Sequence, residues 1–78
     1  MSRRFPVLRY RDVVKVAKKL GFYFCRQAKG SHEIWRRDED GRQTTIPKSR
    51  KIIKRRTVKA ILEDFQITID KVRKLLKK

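Results

Sequence analysis

The one histidine of this chain, His32, closes the segment Lys29-Gly30-Ser31-His32 between two runs of strand-like composition. Around it are 24 Lys and Arg against 8 Asp and Glu in 78 residues. An imidazole takes and gives protons near neutral pH because its ordinary pKa is about 6.5. A surplus of Lys and Arg gives phosphates somewhere to sit. A proton-transfer group at a glycine turn in a polycation points to chemistry on a polyanion. RNA suits so small a site, because its own 2′-hydroxyl is the nucleophile. The protein then supplies a proton acceptor, a proton donor and cations for the charge that builds on phosphorus. His32 is the candidate catalytic residue, taking the proton of the 2′-hydroxyl or delivering one to the leaving 5′-oxygen.

The residues around His32 each have an ordinary structural reading beside the functional one. Lys29 puts a cation next to a scissile phosphate, Gly30 lets the turn form, and Ser31 either caps that turn or hydrogen-bonds a phosphate. Arg36 and Arg37 on the following strand read as RNA contacts or, with Arg26, as the solvated edge of a sheet. Residues 48–56 hold six basic residues in nine. Among them Lys48, Arg50, Lys51, Lys54 and Arg55 are the candidates for phosphate contact. Neighbouring strand residues point to opposite faces, so Glu33 reads as a surface carboxylate. By the same parity His32 shares a face with Ile34, taken as the core side. It then reaches solvent only at a strand edge or on a distorted turn, which Gly30 permits. Trp35 is expected at an interface, with stacking on a base as the sharper reading. A Ser-His hydrolase is disfavoured, since no nucleophile elbow or second histidine is present. No carboxylate cluster suggests a metal, and no cofactor is expected.

Composition bounds these readings. A chain of this length makes one domain with a modest core, which favours a shallow surface site over an enclosed cofactor pocket. The formal net charge is +16. Thermophile-style ion pairing needs acids and bases in balance, and 8 acids cannot neutralise 24 bases. A nucleic acid or an acidic protein is the better partner. Cys25 is alone, which excludes an internal disulfide, and its aromatic neighbours suggest a packed small side chain. No apolar run reaches membrane-span length and the start is basic rather than hydrophobic, so a cytoplasmic location is expected.

Residues 1–9 read as a basic, loosely attached leader and residues 10–78 as the single domain. From Tyr10, Val13, Val16, Ala17 and Leu20 recur with helical spacing, and Asp12 and Gly21 mark the helix ends. Residues 22–28 alternate as a strand, with Phe22 and Phe24 on one face and Tyr23, Cys25 and Gln27 on the other. A second strand follows at about 32–37. Asp38-Glu39-Asp40-Gly41 then turns the chain into a third at 43–46, which Pro47 stops. Thr57 is a plausible N-cap for a helix with Val58, Ile61, Leu62 and Phe65 on one stripe. Thr68 opens a last helix with Ile69, Val72, Leu75 and Leu76 inward. The order α-β-β-β-α-α makes an α+β fold, a three-stranded antiparallel sheet with helices packed on one face.

These landmarks resemble the HicA (YcfA-like) family of toxin mRNA interferases, compact folds of the double-stranded-RNA-binding-domain type. The likeness runs from about Tyr10 to Leu76. It is carried by Leu20-Gly21-Phe22, Gln27-Ala28-Lys29-Gly30-Ser31-His32, Thr45-Ile46-Pro47, Thr57 with Ile61-Leu62, and Ile67-Thr68. The resemblance implies a metal-independent endoribonuclease, the toxin of a type II toxin-antitoxin system, that cleaves mRNA through His32 and is restrained by a HicB-like antitoxin in a hetero-oligomer. This chain departs from the family in three places. Glu33 stands where a second histidine often follows, Lys48-Ser49 where another histidine often follows the proline, and Arg56 where a glycine usually precedes the threonine. The rival reading is a non-catalytic RNA-binding module that keeps the fold and charge but is indifferent to His32. A basic ribosome-associated or adaptor protein is a third.

Overall fold

The chain folds in the order α1 (Tyr10–Lys19), β1 (Tyr23–Gln27), β2 (His32–Arg37), β3 (Arg42–Pro47), α2 (Arg55–Phe65) and α3 (Ile69–Leu76). This computed structural model describes residues 6–77. The α+β order expected from the sequence is the observed one. The expected leader falls in part on residues 1–5, outside the described residues. Its end is not loose: Leu8 is buried, and its carbonyl accepts the Ile53 N–H at 2.9 Å.

Helix α1 buries Val13, Val16 and Ala17, and Asp12 Oδ2 accepts the Arg9 N–H at 3.0 Å at its start. It ends in a Schellman turn, with Gly21 N–H donating to Lys18 O and Phe22 N–H to Ala17 O. Gly21 has φ +92°, a conformation that penalises any Cβ. The turn delivers Phe22 straight into the core, where its ring lies 4.9 Å from that of Phe65.

The sheet has the order β1-β2-β3, all antiparallel, so β2 is central. Across β2 and β3, Glu33 pairs with Ile46, Trp35 with Thr44, and His32 with Pro47. Ile46 is fully buried and Trp35 nearly so, both in the cluster that also holds Val16, Phe22, Val58, Ile61, Phe65 and Val72. The helix-covered face is therefore the row of Glu33, Trp35, Thr44 and Ile46. Three expectations are corrected here. The core side of β2 is Trp35's row, so His32 lies on the open face with Thr45 and needs no distorted turn to reach solvent. Trp35 is a core residue, not an interface aromatic. Glu33 is not a surface carboxylate but is only 5 % exposed.

That burial is tolerated because the carboxylate has partners. Glu33 Oε1 accepts the Tyr10 hydroxyl at 2.7 Å and Trp35 Nε1–H at 3.1 Å. Burial and then the bond to Glu33 push the Tyr10 phenol up to about 12. The expected alternation in β1 is also broken. The register shifts between Phe24 and Arg26, so Cys25 is the extra residue of a bulge, Arg26 pairs with Ile34, and Gln27 moves to the side of Glu33. Cys25 is exposed, like the rest of β1, rather than packed.

Helix α2 buries Val58, Ile61, Leu62 and Phe65, as its stripe predicts, but starts three residues early. Lys54 occupies the N-cap, its carbonyl accepting Val58 N–H at 2.9 Å, and Thr57 lies in the first turn. Thr44 Oγ1–H donates to Asp64 Oδ2 at 2.8 Å, which fixes the far end of α2 against β3. Thr68 is the N-cap of α3, its hydroxyl accepting Lys71 N–H at 3.2 Å.

Candidate active site

Gly30 and His32 are placed by the turn between β1 and β2. Gly30 has φ +66° with open space where a Cβ would stand, so backbone conformation rather than crowding selects glycine. Its carbonyl accepts the Gln27 side-chain amide at 2.9 Å. Ser31 O accepts the Lys48 N–H at 2.7 Å, which carries the β2–β3 pairing one step past Pro47 and seats the turn on the start of the basic connector. His32 is the first residue of β2 and is exposed. Its Nδ1 lies 3.2 Å from the Lys29 carbonyl oxygen. A carbonyl only accepts, so this contact keeps the proton on Nδ1 and leaves Nε2 as the basic nitrogen. Backbone geometry alone thus orients the ring, without a carboxylate.

His32 opens onto a groove of about 310 Å³ where the edge strand β3 meets α2. Thr45 and Pro47 line it from β3, and Arg56, Thr57, Ala60, Ile61 and Asp64 from α2. Sequence reasoning met Arg56 as the end of the basic run 48–56 and did not place Thr57, Ala60, Ile61 or Asp64 in the site. Their signal was present as the polar face opposite the apolar stripe, with Arg56, Ala60 and Asp64 each one turn apart. Reading Thr57 as a cap drew attention away from that face. Among the described residues no three His, Cys, Asp or Glu side chains come together in a way that would hold a metal ion.

The family model for the HicA toxin of bacterial toxin-antitoxin systems matches residues 10–67. The chain belongs to the HicA toxin family. No curated protein matches the chain closely enough to be compared. The matched span runs from the first residue of α1 to the residue after the α2 cap, and so takes in the histidine turn and the groove. This HicA family member is therefore a toxin of a toxin-antitoxin system.

The cations named from the sequence divide into two groups in this HicA fold. Lys29 lies on the turn and is exposed, contributing its carbonyl to His32. Lys48, Arg50, Lys51 and Lys54 are exposed along the connector, which is pinned between the Ser31–Lys48 and Leu8–Ile53 bonds. Arg55 follows as the first residue of α2. Of these, Lys48 is tied directly to the turn through its bond to Ser31 O. Arg36 and Arg37 are instead engaged near the 38–41 turn, Arg36 with Asp38 at 3.4 Å. Arg37 makes two bonds to Asp40 at 3.1 and 2.7 Å, one to Leu20 O at 2.9 Å, and lies 4.8 Å over the Phe22 ring. The Arg37 guanidinium holds the Asp40 carboxyl down to about 2. Arg37 thereby ties the hairpin to the exit of α1. No helix among the described residues is long and apolar enough to cross a membrane.

Proposed function

We propose that this toxin is a metal-independent endoribonuclease that cleaves mRNA in the cytoplasm through His32, and that a HicB-like protein antitoxin restrains it. In the reaction, His32 Nε2 accepts the proton of a 2′-hydroxyl as that oxygen attacks the adjacent phosphorus. The bond from phosphorus to the 5′-oxygen breaks, leaving a 2′,3′-cyclic phosphate and a 5′-hydroxyl end. Water protonates the leaving oxygen, and the imidazolium returns its proton to the hydroxide so formed. The observation that carries this reading is the exposed His32 ring, oriented by the Lys29 carbonyl with Nε2 free and set beside a groove that also holds a guanidinium. The connector cations supply sequence-independent attraction for the RNA backbone.

The test is His32→Ala. His32 is exposed and its ring makes one hydrogen bond among the described residues, to a turn carbonyl, so the variant should keep the wild-type circular dichroism and melting temperature while RNA cleavage and growth arrest are lost. Cleavage at the wild-type rate by a folded His32→Ala protein would refute the catalytic assignment and leave an RNA-binding module. The wild-type rate should also survive EDTA, and a strict metal requirement would count against histidine-only chemistry.

A further inference from the structure

His32 accounts for the proton but not for the charge that develops on phosphorus, and the groove contains a residue suited to that task. We propose that Arg56 is a second catalytic residue, whose guanidinium holds the non-bridging oxygens of the scissile phosphate at the His32 end of the groove. This rests on the assignment of RNA cleavage to His32 and extends it.

The placement follows from how α2 lies along β3. The Thr44–Asp64 bond fixes the C-terminal half of α2 beside the middle of β3. Pro47 ends β3 and pairs with His32. The N-terminal turn of α2 therefore lies toward His32, and Asp64 lies at the opposite end. Arg56 and Asp64 are eight residues apart, so the helical rise separates them by about 12 Å. The groove is thus cationic where His32 enters it and acidic where it leaves. Arg56 is exposed and makes no ion pair among the described residues, whereas Arg36, Arg37 and Arg42 pair with Asp38 or Asp40. Lys29, though closer in sequence to His32, does not line this groove.

The chemistry needs such a group. As the 2′-oxygen bonds to phosphorus and the 5′-oxygen departs, negative charge accumulates on the two non-bridging oxygens. A guanidinium fork presents two N–H donors in a plane that matches two such oxygens, and it stays charged at any working pH. Its contact strengthens as the charge grows, so its effect falls on turnover more than on binding.

The experiment compares Arg56→Ala, Arg56→Lys and Lys59→Ala on a 5′-labelled single-stranded RNA of mixed sequence. Lys59 is an exposed cation of the same helix outside the groove, so its removal controls for net charge. Arg56→Ala should lower kcat about 100-fold, the size of losing one oxyanion donor, with KM changed less than about fivefold. Arg56→Lys should recover part of the loss, and Lys59→Ala should match wild type. Circular dichroism should be unchanged in all three. Wild-type kcat in Arg56→Ala, or a loss confined to KM, overturns the proposal. If His32→Ala is inactive while Arg56→Ala cleaves normally, the histidine assignment stands and only this one fails. If His32→Ala cleaves normally, the reading beneath both fails.

Discussion

Replacing Glu33 with methionine tests the packing that puts His32 on the open face. The substitution keeps the length of the side chain and removes both acceptor oxygens. Trp35 Nε1–H then has no partner in a site only 4 % exposed, and the Tyr10 hydroxyl loses its bond but is half-buried and can turn toward water. An orphaned buried donor costs about 1–3 kcal/mol, and a bond to a charged acceptor is worth about 1.5–3 kcal/mol. Against this stands the desolvation that a buried carboxylate no longer requires. The net expectation is a loss of about 2–3 kcal/mol. For a domain of 78 residues each kcal/mol moves the melting temperature by about 4–8 °C. The methionine variant should therefore melt roughly 8–24 °C below wild type. Glu33→Gln retains an amide oxygen able to accept both bonds and should lose about 1 kcal/mol. The assay is thermal unfolding followed in parallel by far-ultraviolet circular dichroism and by Trp35 fluorescence, whose coincidence checks two-state behaviour. A methionine variant melting within 4 °C of wild type would refute the argument, because the carboxylate would then not be holding α1 to β2.

Other perturbations probe the remaining parts of the molecule. Reversing charge at Lys48, Lys51 and Lys54 should weaken RNA binding uniformly across sequences and flatten the plot of log affinity against log salt by up to about one unit per lost contact; an unchanged slope would place the RNA elsewhere. Asp40 ionises near 2 when folded, so its bonds to Arg37 stabilise the fold above the ordinary carboxylate pKa and are lost as pH falls toward 2. Asp40→Asn should accordingly flatten the fall of melting temperature between about pH 4 and pH 2, and an unaltered profile would contradict the pairing. At the alkaline end Tyr10 ionises at about 12 rather than 10, so its contribution is present below pH 10 and lost as pH rises through 12. The absorbance of its phenolate should appear only in that upper window. A small acidic protein encoded beside the toxin should co-purify with it and abolish cleavage on stoichiometric addition; failure of both neighbours to do either would remove support for a protein antitoxin.

Much of the fold was legible because local signals agreed with one another. The apolar spacing in α1, α2 and α3, Gly21 at a left-handed position and Thr68 as a cap each rest on one physical preference and are all realised. The face assignment of β2 failed because Ile34 and Trp35 are adjacent and both apolar, so alternation alone does not choose between them. β3 decides the matter. Its one large apolar side chain, Ile46, points to the core, and the register across the 38–41 turn sets Ile46 opposite Glu33, which puts Glu33 and Trp35 inward. Carrying that register back from the turn would have placed His32 on the open face. The bulge at Cys25 left no comparable trace, since neither Cys25 nor its neighbours is a glycine or proline that marks an extra residue.

The site was legible only in half. His32, its glycine turn and the basic connector are near in sequence, and a contiguous motif displays them directly. Arg56, Thr57 and Asp64 belong to the site solely because α2 lies along β3, and that docking depends on the Thr44–Asp64 bond and on the buried cluster that Ile46 shares with Ile61 and Val58. No local spacing encodes such a juxtaposition. One consequence bears on how the chain does its chemistry with a single histidine. The ring is oriented by a carbonyl of its own turn, so the strand supplies the base without help from a second side chain. The cation for the phosphate then has to come from a different element, and α2 is the element whose polar face closes the groove. Loosening α2 from β3 by Thr44→Val should therefore lower kcat while leaving the connector's RNA affinity in place. A Thr44→Val protein with wild-type kcat would show that the helix and the histidine work independently.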